Sequence, residues 1–308
     1  MWVDIFPKSH GKPGPSINIS PRVPTKFFLR IVIWNTYDVL LTETNIMGEQ
    51  MSDIYVKSWI SGLDDVQKTD VHYRSMDGEG NFNWRLVFPL EYLVTEGHLV
   101  VKKKEHFWSL DVTEHHLPPI LCLQIWDNDT FSSDDLIGTL EIDLNSMPMP
   151  AKNAAKCGLH QLGMETKERK LLSFRKKKNS KNAKYINLFE KKRVYGFWPC
   201  FGNDPEQGRI LAGKVEMELE ILTEEDAEKA PAGLGRDEPN ANPTLEPPNR
   251  PATSFLWFTS PWKSFKHVVW RNYKMYIITI LIILLSVLLM VLFIYSFPGA
   301  IATRLVTL

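Results

Sequence analysis

A long apolar stretch near the C-terminus constrains this chain more than any other feature. Residues 276–297 read YIITILIILLSVLLMVLFIYSF, which is 22 residues without a charged side chain. As an α-helix rising about 1.5 Å per residue, the stretch would span roughly 33 Å, enough for the ~30 Å hydrocarbon core of a bilayer. It therefore predicts a single transmembrane helix rather than the buried core helix of a soluble protein.

The residues that flank this stretch predict its orientation. Four basic residues precede it and one follows it, namely Lys263, Lys266, Arg271 and Lys274 before it and Arg304 after it. Basic flanks stay on the cytosolic side of a membrane. The opening MWVDIFPKSH lacks the apolar segment of a signal peptide. We therefore predict a single-pass protein of the plasma membrane or intracellular vesicles, with a cytosolic body and a lumenal or extracellular tail, residues 298–308.

The overall composition is that of a folded protein with unevenly placed charge. The 308 residues are 44% hydrophobic, and 36 Lys and Arg balance 36 Asp and Glu. A zero net charge argues against a nucleic-acid binder defined by its global charge. Three cysteines without metal-type spacing argue against a disulfide scaffold or a zinc ribbon. Residues 166–193 nevertheless carry twelve Lys or Arg and two acids, a net charge of +10.

The body of the chain has the pattern of an all-β domain. Runs rich in β-branched and aromatic residues cover 26–34, 54–60, 82–88, 120–126 and 136–144. Val215–Leu222 alternates strictly between apolar residues and glutamates, which predicts one buried face and one solvated face. Short strands separated by turn signals, without a long amphipathic helix, indicate an antiparallel sandwich.

Proline-rich segments set the predicted domain boundaries. Residues 1–25 and 226–275 are predicted to be linkers, because prolines are concentrated in both. The sandwich then occupies residues 26–225, with residues 166–208 as a basic insertion.

A cluster of acids in the loop after the run 120–126 points to a cation site. Asp127, Asp129 and Asp135 form the pattern D-x-D-x5-D. Carboxylates this close repel one another unless a cation lies among them, and oxygen ligands at this density suit Ca²⁺. An EF-hand is excluded, because the residues at positions 5, 6 and 12 of the loop are not those that it requires.

The acidic loop resembles that of a C2 domain. Residues 52–57 read SDIYVK, similar to the S-D-P-Y-V-K that ends the first acidic loop of C2 domains, about 70 residues before the second. Over nearly its whole length the chain resembles the C-terminal end of a ferlin, on the dysferlin and myoferlin branch. The segments that carry this resemblance are GEGNFNWRLVF (78–88), KKEHFWS (103–109), GFWPCF (196–201), RDEP (236–239) and FLWFT (255–259).

This resemblance implies a fold and a set of metal ligands. The fold is an eight-stranded antiparallel β-sandwich of the C2 type, followed by one transmembrane α-helix. Asp53 matches the second acid of the first loop, and three acids match the second loop: Asp127, Asp129 and Asp135. The usual position of the first acid falls on Met47, so the nearest candidates are Glu43, Asn45 and Glu49, of which Glu43 and Asn45 are taken as possible ligands. The implied cofactor is Ca²⁺, as two ions, with its affinity left open.

The resemblance also implies a function. A ferlin C2 module binds phospholipid in a Ca²⁺-dependent manner and acts in vesicle trafficking, membrane fusion and plasma-membrane repair. The implied partners are anionic membranes, vesicle-fusion or endocytic-recycling proteins, and upstream C2 domains. Phe131 at the loop tip either enters the lipid head groups or packs on a neighbouring loop, and Lys176, Lys177 and Lys178 are expected to attract anionic lipid.

One alternative is a Ca²⁺-independent, membrane-tethered interaction scaffold. A tethered enzyme is not predicted, because the sequence contains no hydrolase, zinc-protease or P-loop motif.

Overall fold

A computed structural model gives the fold of most of the chain. It describes Pro7, Ser9 and residues 22–44, 50–103, 113–129, 132–163, 185–206, 208–250 and 270–306. The chain divides into two compact units, Met1–Pro248 and Asn249–Leu308.

The described part of the first unit consists mainly of β-strands. They are β1 Thr25–Tyr37, β2 Glu43–Thr44, β3 Gln50–Ile60, β4 Val66–Lys68, β5 His72–Ser75, β6 Gly80–Leu93, β7 His98–Lys103, β8 Thr113–Leu117, β9 Ile120–Asp127, β10 Asp135–Asp143, β11 Met147–Pro148, β12 Tyr185–Ile186, β13 Arg193–Asp204 and β14 Gly208–Thr223. Short helices cover Ala154–Lys156, Leu159–Leu162, Leu188–Lys191 and Glu224–Lys229.

The long strands form one antiparallel sheet that curls on itself. Its order is β2-β3-β9-β10-β13-β14-β1-β6-β7-β8, with β4 and β5 both paired to β3. Strands β10 and β13 meet at a single residue pair, Thr139 and Phe201. The layer containing β3, β9 and β10 therefore faces the layer containing β13, β14, β1 and β6. The predicted all-β, sandwich-like architecture is confirmed.

The core lies between these layers and is built from alternate residues of each strand. Its members include Leu29, Ile31 and Ile33 of β1, Leu121, Leu123 and Ile125 of β9, and Val215, Met217 and Leu219 of β14. Their alternation follows the two-residue period of a strand, which places every second side chain on the same face.

Two of the three glutamates of β14 are buried, contrary to the expectation for an alternating strand. Glu216 and Glu218 each keep only 8% of their surface exposed. The Glu216 carboxylate accepts hydrogen bonds from Asn35 (2.7 Å), Tyr37 (3.1 Å) and Tyr195. Arg193 donates to Glu218. The prediction of one wet face is wrong, because β1 and β13 flank β14 and cover its acids with hydrogen-bond donors.

Gly138 gives a test of how tightly the two layers meet. It follows a β-bulge in β10, and a Cβ atom there would lie 2.9 Å from the Ala212 Cβ and 3.2 Å from the Cys200 Cβ. We expect Gly138→Val to lower the free energy of unfolding by about 1–3 kcal/mol through overpacking. Guanidinium unfolding of the full chain in detergent micelles measures the change. Glu141→Val, at an exposed position of the same strand, is the control; equal losses in the two variants would contradict the prediction.

The second unit contains one long helix among its described residues, Arg271–Val306. Within it, Tyr273–Phe293 is long and apolar enough to cross a membrane, with a mean hydropathy of 3.1. The hydroxyls of Thr279 and Ser286 donate to the carbonyls of Met275 and Ile282, both at 2.8 Å. These polar groups are therefore satisfied within the helix, as lipid surroundings require. The predicted apolar helix is confirmed as a candidate membrane span.

The proline-rich segment that follows the sandwich is not a free linker throughout. Sequence composition assigned residues 226–275 to a linker. In the structure, residues 230–248 lie along β6, where Gly235 forms a β-bridge with Arg85. We call residues 230–248 the C-terminal strap.

Candidate calcium site at the apical loops

Strand register brings several acids to one end of the sandwich. This apical end is where β1 and β9 end and where β3, β6 and β10 begin. Asp127, the last residue of β9, pairs with Ile54 of β3 on one side and with Asp135 of β10 on the other. Glu43 of β2 pairs with Met51 of β3. Two loops that are far apart in sequence therefore place their acids side by side.

Asp127 is the fixed centre of this group. Its side chain is buried, with 1% of its surface exposed. One carboxylate oxygen, Oδ1, accepts the backbone N–H of Asp53 at 2.6 Å, and the other accepts the Thr42 hydroxyl. The Asn128 N–H donates to the Asp53 carbonyl at 2.8 Å, which ties the two loops together. Asp127 thus orients the first loop as well as the second.

Asp53 is held from the opposite side by a bulged strand. The pairing of β3 with β5 shifts register between Ser52 and Ile54, and the Arg74 N–H donates to the Asp53 Oδ1 at 2.7 Å. Burial raises the pKa of Asp53, and this hydrogen bond opposes the shift. A bulge beside a site commonly redirects a backbone group in this way.

A hydrogen bond links the carboxyl groups of Glu43 and Asp129. The hydrogen bond with Asp129, burial, and the nearby charges of Asp127, Asp129 and Asp53 raise the pKa of Glu43 to about 7. The pKa of Asp129 is lowered by the Ser132 hydroxyl, which donates at 2.6 Å, and by Glu43. The opposite directions of the two shifts make Glu43, rather than Asp129, the partner that binds a proton near neutral pH. Repulsion from the neighbouring carboxylates contributes to the raised pKa of Glu43, after the hydrogen bond and burial.

Asp134 shapes the second loop, and sequence analysis did not identify it. Its Oδ1 accepts the Asp129 N–H at 3.2 Å and the Asn128 side-chain amide at 3.1 Å. Its Oδ2 accepts the Tyr55 hydroxyl at 2.7 Å. Asp134 therefore closes the loop from inside. The only signal in the sequence was its position beside Asp135.

The predicted ligands and membrane-contact residues fall into three groups. Asp53, Asp127 and Asp129 lie together with Glu43, as their mutual electrostatic effects require. Asp135 has an exposed side chain on the residue paired with Asp127. Asn45, Phe131 and the three lysines lie outside the described residues: Lys176, Lys177 and Lys178.

These carboxylates do not converge on a preformed point. Across the described ranges, no group of three or more His, Cys, Asp or Glu side chains is arranged to hold a metal ion. Both oxygens of Asp127 are instead occupied by protein donors. The donor chemistry still suits Ca²⁺, because every candidate ligand within the described residues is a carboxylate and hard cations take oxygen ligands.

Sequence comparisons identify relatives of the chain. Residues 200–305 match the family described as the ferlin C-terminus, and residues 100–159 match the C2 domain family. The chain is 55% identical to myoferlin of Xenopus tropicalis and 53% identical to myoferlin of Homo sapiens, each over 307 residues and 99% of the chain. It spans only 15% and 14% of the length of those two proteins.

Comparison with solved structures finds similar chains at low sequence identity. The paired, calcium-bound C2 domains of extended synaptotagmin 2 align with a TM-score of 0.34 and 16% identity, over 66% of this chain and 48% of that one. Human GIVD cytosolic phospholipase A2 aligns with a TM-score of 0.34 and 12% identity, over 66% of this chain and 17% of that one.

Proposed function

Because this chain belongs to the ferlins and corresponds to their C-terminal region, we propose that its C2 unit binds anionic phospholipid in response to Ca²⁺. The observation that carries the proposal is the grouping of Glu43, Asp53, Asp127 and Asp129 at the apical end, where Glu43 is hydrogen-bonded to Asp129 and the charges of the three aspartates add to the rise in its pKa. Such a group gains most from a divalent cation, since the cation removes the repulsion among its members.

The proposed ligands are Glu43, Asp53, Asp127, Asp129 and Asp135. Ca²⁺ held by these residues, as two ions, would supply positive charge to which lipid phosphates are attracted. Hydrogen bonds from the protein position two of the carboxylates: the Arg74 N–H on Asp53, and the Asp53 N–H on Asp127. Without a cation, the same carboxylates repel anionic head groups.

Apolar and basic residues would add to this attraction. Leu136, the neighbour of Asp135, keeps 49% of its surface exposed at the apical end. We propose that Phe131 contacts the head-group region and that the basic insertion around Lys177 attracts anionic lipid, at about 1 kcal/mol for each basic residue near the surface.

The setting of this binding is part of the proposal. A single membrane-spanning helix would hold the C2 unit on the cytosolic side of the plasma membrane or of a vesicle. Binding to a second membrane there would serve vesicle trafficking, fusion and membrane repair, together with vesicle-fusion or endocytic-recycling proteins and upstream C2 domains. We propose no catalytic role for the chain.

One observation favours a second function, that of a Ca²⁺-independent interaction scaffold. Both oxygens of Asp127 already accept protein hydrogen bonds, from Asp53 and Thr42, so the acids are stable without an ion. In that case the C2 unit would bind its partners through other surfaces.

Vesicle capture by the full chain tests the proposal and separates it from the scaffold. The chain is placed in phosphatidylcholine liposomes, and acceptor vesicles with or without phosphatidylserine are added in Ca²⁺ or in chelator. We expect Ca²⁺ to raise capture of the phosphatidylserine vesicles about tenfold or more, because each charge reversed near an anionic surface is worth about 1 kcal/mol.

Mg²⁺ and protein-free liposomes are the controls for bridging by ions alone. Capture that is equal in Ca²⁺ and in chelator would contradict the proposal and favour attraction by the basic insertion or the scaffold function.

A further inference from the structure

The C-terminal strap reverses the direction in which the chain leaves the sandwich. Strand β14 ends at Thr223, which pairs with Phe27 near the start of β1, so it ends opposite the apical loops. The strap then returns along β6. Successive contacts join Arg30 to Ala230, Arg85 to Gly233, Arg236 to Phe82 and Asn83 to Glu246. The strap therefore ends near Asn83, four residues into β6 from the apical end.

The contacts of the strap are discrete rather than continuous. Among the described residues, its backbone meets β6 at one bridge, where the Gly235 N–H donates to the Arg85 carbonyl at 2.7 Å and the Arg85 N–H donates back at 3.3 Å. Arg236 stacks on the Trp84 ring at 4.7 Å and donates to the Phe82 carbonyl at 2.7 Å and to Asp70 at 2.6 Å. With one backbone bridge and a few side-chain contacts, the strap is held to the sandwich by far fewer interactions than a paired strand of the sheet.

Two arginines, as well as the Trp84 ring, lie beneath the strap. Arg85 is fully buried, and its guanidinium donates to the carbonyls of Gly233 (3.0 Å) and Pro243. Burial lowers the pKa of Arg85, and the nearby charge of Arg30 lowers it further. Within the described residues, the Nε of Arg85 and the Nε and Nη1 of Arg30 have no hydrogen-bond partner.

Opening the strap would therefore let water reach these groups. Buried donors without partners are costly, and hydration removes that cost. The loss of buried apolar side-chain surface from the strap itself is small. The structure describes the strap over its whole length, and Leu245 is its one apolar side chain that is almost fully buried, at 2% exposure. The free-energy cost of opening the strap is therefore different from that of opening the sandwich, because opening the sandwich exposes a continuous apolar core.

We propose that the C-terminal strap is a latch, which opens as a unit while the sandwich stays folded when the chain beyond Pro248 is pulled. Release frees residues 230–248, which at about 3.3–3.6 Å per residue lengthens the tether of the C2 unit by at most roughly 60 Å, since the folded strap already spans part of its extended length. Tension arises naturally when the helix is held in one membrane and the C2 unit engages another surface. The latch does not depend on Ca²⁺ binding at the apical end.

Pulling the full chain in detergent micelles with optical tweezers tests the latch. Handles are attached at Val23→Cys and Trp270→Cys, both exposed positions, since the three native cysteines are buried. We expect a low-force step that lengthens the chain by at most roughly 60 Å, followed at higher force by opening of the sandwich. A single step in which strap and sandwich open together would overturn the proposal.

A pair of arginine variants identifies what holds the latch. Arg236→Ala should lower the force of the first step and leave the second unchanged. Arg209→Ala removes an arginine that stacks on Phe201 in the β13–β14 hairpin, and it should leave the first step unchanged. Equal effects of the two variants on the first step would contradict the role given to Arg236.

Hydrogen exchange gives a second measurement without force. The strap amides of Gly235 and Leu245 donate to the Arg85 carbonyl and to Asn240. We expect them to exchange at least about tenfold faster than the core amides of β14, because local opening costs less than global unfolding. Arg236→Ala should speed exchange at Gly235 but not in β14. Exchange at one common rate in strap and β14 would overturn the proposal even if the variant folds poorly.

Discussion

Replacing Asp127 with asparagine is expected to abolish the rise in melting temperature that Ca²⁺ gives the chain. The stabilisation that a ligand gives a folded protein rises with the ligand concentration. At a concentration of one hundred times the dissociation constant, the stabilisation is about 2.7 kcal/mol. For a domain of about 200 residues that free energy corresponds to a rise of roughly 5–10 °C. Asp127 contributes a buried carboxylate at the centre of the acid group, so its charge is the hardest to replace.

The substitution should leave the fold intact. Asparagine keeps one carbonyl oxygen to accept the Asp53 N–H, and the Thr42 hydroxyl can rotate to accept from the new amide. Without Ca²⁺, Asp127→Asn should melt at or above the wild-type temperature, because one of several mutually repelling charges is gone. The effects with and without the ion therefore have opposite signs, which a merely damaged fold would not produce.

Glu141→Gln is the matched control for this prediction. It removes one negative charge from an exposed position of β10, away from the apical loops. Its Ca²⁺-induced shift should equal that of the wild type in calorimetry or fluorescence melting. If Asp127→Asn keeps the full shift, the ligand set is wrong. If the wild type shows no shift, Ca²⁺ binding itself is absent and the scaffold function gains support.

Local sequence patterns predict the sandwich well, because its core follows strand periodicity. The run at 120–126 became β9, and the apolar half of β14 faces the core as its alternation predicted. The burial of Glu216 was not predictable in the same way. It depends on Tyr37 and Tyr195, which belong to neighbouring strands and are far from Glu216 in the sequence. Periodicity identifies the two faces of a strand, but the surroundings of each face depend on tertiary packing.

The acidic loops also show that local sequence patterns do not predict contacts that depend on tertiary packing. Spacing alone singled out Asp127, Asp129 and Asp135, whereas the link from Glu43 to Asp129 needs the register of β2 on β3. Asp134 looked redundant in the sequence, yet it accepts three hydrogen bonds that close the loop.

Sequence analysis did not predict the strap, for a different reason. Proline-rich composition disfavours regular strands and helices, but it does not exclude packing. Residues 230–248 are fixed by arginines, at Arg85 on the strand and Arg236 on the strap, rather than by a repeating pattern.

This packing changes how the unit should be expressed. A chain cut near residue 230 would remove the strap and leave Arg85 uncovered, so any shortened version should extend at least to Pro248.

Trp198→Ala is expected to cause the largest loss of stability among the single substitutions considered. Trp198 of β13 is fully buried in the core, and its indole N–H donates to the Pro148 carbonyl at 3.3 Å. Truncating a large buried aromatic side chain costs about 3–5 kcal/mol, because transfer free energy is lost and a cavity remains. The Pro148 carbonyl also loses its donor. Guanidinium unfolding of the full chain in micelles, followed by far-ultraviolet circular dichroism, measures the loss.

Two further variants separate the contributions at this position. Trp198→Phe keeps an apolar ring but lacks the indole N–H. It should therefore lower the free energy of unfolding less than Trp198→Ala does, and more than an exchange between two purely apolar side chains would. Trp126→Ala removes a half-buried tryptophan of β9 whose ring lies under Lys57 at 5.2 Å, and it should cost clearly less than Trp198→Ala. The Trp198 indole donates to Pro148 and not to a residue of the acid group, so Trp198→Ala should lower stability with and without Ca²⁺ by the same amount. A Ca²⁺-dependent loss at Trp198 would mean that the core and the apical loops are coupled, contrary to the additivity expected of sites that share no partner.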